Sequence, residues 1–176
     1  MEKKSRKGME FGGWLLFFFI VFILGALGSL IGAGSQLVMP VIYESMVGSI
    51  SENVGAPMMP FPALGLRIVA ALLSLVIFVF ELLAIIAIGG KKMIGKNYAI
   101  ISVWIGVVYT IYYTIMSALT LPKMTEYLNS VATTQVSNIG FTIAGWVFGI
   151  VFGLAWAIVV TLYFVRSERV KKTLVR

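Results

Sequence analysis

The sequence contains no cysteine and no histidine, and its seven acidic residues are all glutamate, so aspartate is missing as well. These gaps remove thiol nucleophiles, disulfides, imidazole bases, His or Cys ligation of zinc, copper or haem, and any aspartyl dyad. Without cysteine, disulfide usage says nothing about redox compartment. Charge is scarce too: 12% of the 176 residues are charged, 60% are hydrophobic, and mean hydropathy is +1.00. That composition lies outside the soluble globular range and inside the membrane class. Catalysis is left with Ser, Thr, Lys, Tyr and Glu, and no Lys falls inside an apolar run. A non-enzymatic protein without metal or cofactor is therefore expected.

What is present is long apolar runs. Ile139 to Val165 has no charge and is followed by the basic segment Arg166 to Arg176; roughly 20 apolar residues are enough to span a bilayer. A basic start, Met1 to Lys7, precedes a run from Phe11 to Val38. That run is too long for a signal-peptide core, so an uncleaved first span is expected. Four of the five prolines fall between Pro40 and Leu66, marking a loop outside the membrane. Within it Ile42, Met46, Ile50 and Val54 recur at helical spacing opposite Glu44, Ser51 and Glu52, which predicts a short amphipathic interfacial helix. Met58-Met59-Pro60-Phe61-Pro62 beyond it reads either as an adaptable binding surface or as a plain interfacial plug. A basic turn at 89–97 separates the second and third spans, and Pro122 is expected to end the third. The fold class is thus an all-α, four-helix transmembrane bundle in a single domain, 1–176. The spans are about 11–36, 67–88, 98–121 and 139–165, with tails at 1–10 and 166–176.

Of the 14 Lys and Arg residues, all but Arg67 and Lys123 lie in the termini or the 89–97 turn. Cytoplasmic loops collect such residues, so both termini and that turn are expected on the cytoplasmic side.

Glu81 is the one ionisable residue well inside a span. A charge at such depth costs several kcal/mol on insertion scales and is by default a functional hypothesis. Arg67, Ser74 and Glu81 are seven apart and form one polar seam, and Tyr109 of the third span is expected at the depth of Glu81. Two readings stand side by side: a carboxyl that takes up and releases a proton in an ion or solute pathway, or a hydrogen-bonded Glu81 to Tyr109 contact that fixes helix register.

Gly145, Gly149, Gly153 and Ala157 recur every fourth residue and form a small-residue ridge on the fourth span, and Gly28 with Gly32 is a similar pair on the first. The ridge is expected to pack against that pair within the chain; the alternative is a face for a second copy or a membrane partner. Gly90 to Asn97 looks like a phosphate-binding loop until Asn97, where a Ser or Thr belongs, so nucleotide binding is not expected. Arg166, Arg169, Lys171 and Lys172 are candidates for contact with anionic lipid head groups. An eleven-residue tail offers no folded surface for nucleic acid.

Two segments taken together resemble a known family. Phe11-Gly-Gly-Trp-Leu-Leu16 looks like the opening of the family called domain of unknown function 2569. The segment from Tyr163 looks like its close, with Ser167, Arg169, Val170, Lys171, Thr173 and Val175 fitting the pattern and Leu174 in place of the usual Phe. The cytoplasmic turn departs from the pattern in lacking aromatics. The resemblance implies a small four-span protein of the bacterial inner membrane and brings no established activity with it.

Overall fold

The computed structural model describes residues 13–54, 60–131 and 139–174. These form α1 Trp14–Val54, α2 Leu64–Gly89, α3 Ile94–Val131, α4 Ile139–Arg166 and a short α5 Glu168–Thr173. The first four each contain a stretch long and apolar enough to cross a membrane: Trp14–Val47, Leu64–Gly89, Ile94–Tyr127 and Ile143–Arg166. In hydrocarbon each backbone N–H and C=O must find its partner within the segment, which an α-helix provides. Consecutive helices pack side by side, α1 on α2, α2 on α3 and α3 on α4.

Side-chain size decides which faces meet. In α2 the buried residues are Ala70, Ala71, Ser74, Ile77, Ala84, Ala87 and Ile88, whereas Leu72, Leu75, Val76 and Val79 face outward. A leucine gains little by exchanging lipid tails for protein, so the contacting faces are those where small residues let backbones approach. Arg67, Ala70, Ser74, Ile77, Glu81, Ala84 and Ile88 recur at alternating steps of three and four. On a helix that spacing is one continuous stripe.

Two helices run further than their prolines predict. α1 continues through Pro40 and α3 through Pro122. The segment expected to leave the membrane as a loop at Pro40 is therefore helix, and the residues expected to form a separate interfacial helix are the last turns of α1. Likewise Pro122 does not end α3. Proline removes an N–H and crowds the carbonyl four residues back, here those of Gln36 and Ala118, and hydroxyl side chains donate to other carbonyls in the same turns. Thr120 donates to the carbonyls of Met116 (3.2 Å) and Ser117 (3.0 Å), and Thr125 to that of Leu121 (2.9 Å). Near Pro40, Ser35 donates to Gly32 (2.9 Å) and Ser45 to Ile42 (2.9 Å). At about 1.5 Å per residue the 41 residues of α1 reach about 60 Å, twice a hydrocarbon core of about 30 Å. α1 is thus longer than a single crossing needs. Ile42 and Met46 are exposed; the side chains of Ile50, Ser51, Glu52 and Val54, and Met58 and Met59, lie outside the described residues, as do Phe11 and Gly12.

The two ends of the bundle differ. At one end Leu15, Phe18 and Phe22 of α1, Ala84 and Ile88 of α2, Ala99 of α3 and Val160 and Phe164 of α4 form a buried cluster. Phe18 stands at its centre, its ring 5.7 Å from Trp156, 4.7 Å from Tyr163 and 5.7 Å from Phe164. Val170 and Leu174 complete the cluster, so the C-terminal segment that its charges mark as a solvated tail is docked. Ser167 caps α5, its Oγ accepting from the Val170 N–H at 3.4 Å. The α2–α3 turn sits at this same end, with Gly95 against Ile88. At the opposite end a cavity of about 410 Å³ lies among α1, the 60–62 segment, Arg67, α3 and Trp146 of α4.

Candidate functional site

The stripe on α2 turns Glu81 and Ser74 toward α1, and α1 meets them with its smallest residues. A Cβ placed on Gly25 would lie 2.5 Å from Oε1 and 3.1 Å from Cδ of Glu81, so the missing side chain is what gives the half-buried carboxyl its room. One turn on, the Ser29 hydroxyl donates to Glu81 Oε2 at 3.1 Å. The buried Ser74 hydroxyl in turn donates to the Ser29 carbonyl at 3.1 Å. Gly32 leaves space for that hydroxyl, its absent Cβ being 3.2 Å from Ser74 Oγ.

Tyr109 does not meet Glu81. Its phenol lies beside Ser74 and Gln36, and its ring is 6.1 Å from that of Tyr113. The tight α2–α3 turn explains the offset. Gly95 sits against Ile88 and Tyr109 beside Ser74, two pairs of a single antiparallel register. On that register the residue level with Glu81 is Ser102, which is buried and donates to the Ala99 carbonyl at 2.9 Å. The partner of Glu81 is therefore Ser29 of α1 and not Tyr109 of α3.

The polar groups form a trail. From the cavity, where Gln36 and Arg67 stand in the wall, it passes through Tyr109 and Ser74 to Ser29 and Glu81. Past Glu81 lie Ala84 and Ile88 of α2, with Phe22 and Phe18 of α1, all in the buried apolar cluster. Arg67 is held near the opposite end of the trail from Glu81, and its Nε and Nη1 are buried with no hydrogen-bond partner among the described residues. The Tyr112 hydroxyl closes α3 onto this end of α2 by donating to the Leu66 carbonyl at 2.8 Å.

The glycine ridge of α4 does not reach the small residues of α1. Among the described residues a Cβ on Gly145 or Gly153 would meet nothing within 4 Å, and one on Gly149 would meet Thr110 of α3, at 4.0 Å. Gly28 is similarly open, and the sole neighbour of Gly32 is Ser74 of α2. Ala157 is fully buried, and one turn beyond it Thr161 accepts from Trp104 Nε1 of α3 at 3.1 Å. α4 is thus held to α3 near Ala157 and Thr161.

In the 90–96 turn five backbone N–H groups are already committed: Gly90 to Ile86, Lys91 to Ile88, Lys92 to Ala87, Gly95 to Lys92 and Lys96 to Met93. A phosphate-binding loop aims such groups at its ligand; here they close a hairpin. Of the tail cations, Arg166 and Lys171 are exposed, and Lys172 makes an exposed pair with Glu168 at 3.3 Å. The Arg169 side chain lies outside the described residues.

Sequence reasoning missed Gly25, Ser29 and Gln36. A signal was present, because Gly25 and Gly32 are seven apart as Ser74 and Glu81 are, so both pairs recur on one face of their helices. The Gly-x-x-x-Gly pair Gly28 and Gly32 drew attention to a neighbouring face instead. Comparison with protein-family models, with curated proteins and with solved structures finds no match for the chain.

Proposed function

We propose that this chain is a non-enzymatic integral membrane protein that works through contacts with lipid or with partner helices, in a bacterial cytoplasmic membrane and with both termini in the cytoplasm. The observation that carries the reading is the dead end at Glu81: polar side chains lead to it from the cavity, and the apolar cluster lies beyond. A conducting pathway needs polar lining or ionisable groups along its whole length. The affiliation with domain of unknown function 2569 rests on the resemblance of the two terminal segments alone, in which Ser167, Val170 and Thr173 serve as the cap and buried contacts of α5. Contact with lipid or a partner is further supported by the ridge of α4, open at Gly145 and Gly153.

The trail itself favours a second reading, a small ion-coupled or solute transporter with Glu81 as proton site. Reconstitution into proteoliposomes carrying a pH-sensitive dye separates the two. The accessory reading expects proton flux no greater than in protein-free vesicles, for wild type and Glu81→Gln alike. Flux in the wild type that Glu81→Gln abolishes would overturn it in favour of transport.

A further inference from the structure

We infer that the cavity beside Arg67 binds an oxyanion with an apolar body, and that its occupant is the head group of an anionic phospholipid. The guanidinium carries donors in a rigid fork suited to phosphate or carboxylate, and it cannot shed its charge. Two of its nitrogens, Nε and Nη1, are buried without a hydrogen-bond partner among the described residues, and a cation so placed in a membrane protein ordinarily pairs with something. Among the described residues the acidic side chain of the polar trail, Glu81, is taken up by Ser29, at the far end of that trail. The cavity, about 410 Å³, is of the size ligand pockets have.

The rest of the wall selects the kind of oxyanion. Met39, Phe61, Met116 and Trp146 give it an apolar lining, and Gln36 and Ser117 add neutral polar groups. A fully hydrated small anion gains nothing from the first set; an acyl or glycerol chain attached to a phosphate gains from both. The cavity lies at the end of the bundle away from the rings that join α1 to α4, Phe18 and Phe22 with Trp156, Tyr163 and Phe164.

The test uses the full chain purified in maltoside detergent, offered dioleoylphosphatidylglycerol or dioleoylphosphatidylcholine, with retained lipid read by native mass spectrometry. Wild type is expected to retain one phosphatidylglycerol per chain and to prefer it to phosphatidylcholine. Arg67→Gln should weaken retention about tenfold or more, the loss of one charge-assisted hydrogen bond, while Arg166→Gln, an exposed cation at the other end, should leave it unchanged. Ser117→Phe fills the cavity with Arg67 intact and is expected to lose the lipid as well, which keeps the test open if Arg67→Gln fails to fold. Retention equal to wild type in either cavity variant overturns the site. Displacement of the lipid by an equal concentration of inorganic phosphate overturns the lipid assignment in favour of a free anion.

Discussion

At the scale of single residues, three glycines have three different surroundings in the bundle. A Cβ at Gly28 meets nothing, one at Gly25 meets the Glu81 carboxyl, and one at Gly95 lies 2.8 Å from both the backbone N and the Cγ1 of Ile88 and 3.1 Å from the carbonyl carbon of Ala87. Equilibrium unfolding in mixed detergent should rank the alanine variants accordingly. Gly28→Ala is expected within about 0.5 kcal/mol of wild type. Gly25→Ala pushes the flexible carboxyl off Ser29 and costs about 1 to 2 kcal/mol, the worth of that hydrogen bond. Adding Ser29→Ala to it should then cost little more, because the two changes remove the same interaction. Gly95→Ala presses on backbone, which cannot swing aside, and is expected to cost about 3 kcal/mol. Gly28→Ala as harmful as Gly25→Ala would mean that α1 presents a different face to α2. Glu81 itself was legible because a lone carboxyl in an apolar run stands out by its insertion cost. Its partner was less so, since Ser29 and Gln36 are isolated polar residues in an otherwise apolar stretch of α1; the seven-residue spacing of Gly25 with Gly32 and of Ser29 with Gln36 carried that information.

At the scale of elements, the four spans were legible for the reason that makes them spans: each needs about 20 apolar residues, a long and unmistakable signal. The extensions of α1 and α3 were not, because proline reads as a helix terminator, although membrane helices tolerate it more readily than helices in water do. α5 was hidden by its charge. Lys, Arg and Glu in close succession read as a solvated tail, yet Val170 and Leu174 are essentially inaccessible within the buried cluster while Glu168, Lys171 and Lys172 are exposed. The consequence is a contrast between α5 and the residue that caps it. Leu174→Ala should destabilise the bundle by about 2 to 4 kcal/mol, as a buried leucine truncation does. Glu168→Gln removes an ion pair whose partners are 60% and 81% exposed and should change stability by no more than about 0.5 kcal/mol. Thermal unfolding in detergent decides between a docked helix and a tail: equal, negligible effects of both substitutions would mean the segment does not hold the core.

At the scale of the whole molecule, the docking of α5 makes the distribution of cations a statement about shape as well as composition. The turn carrying Lys91 and Lys92 and the helix carrying Lys171 and Lys172 cap the same end, because Ile88, next to that turn, shares a cluster with Val170 and Leu174. The structure puts these groups together whatever membrane surrounds the protein; the positive-inside tendency adds which side they face. Because the chain has no cysteine of its own, single introduced thiols report both points without background. Lys92, Lys172 and Ser130 are all exposed, the first two at the turn end and the third at the far end of α3. In intact cells Ser130→Cys should react with a membrane-impermeant maleimide, while Lys92→Cys and Lys172→Cys should react after permeabilisation alone. Opposite behaviour of positions 92 and 172 would break the docking of α5 onto the bundle. Matching behaviour with both labelled from outside would leave the fold intact and invert its orientation, which would place the Arg67 cavity in the cytoplasmic leaflet.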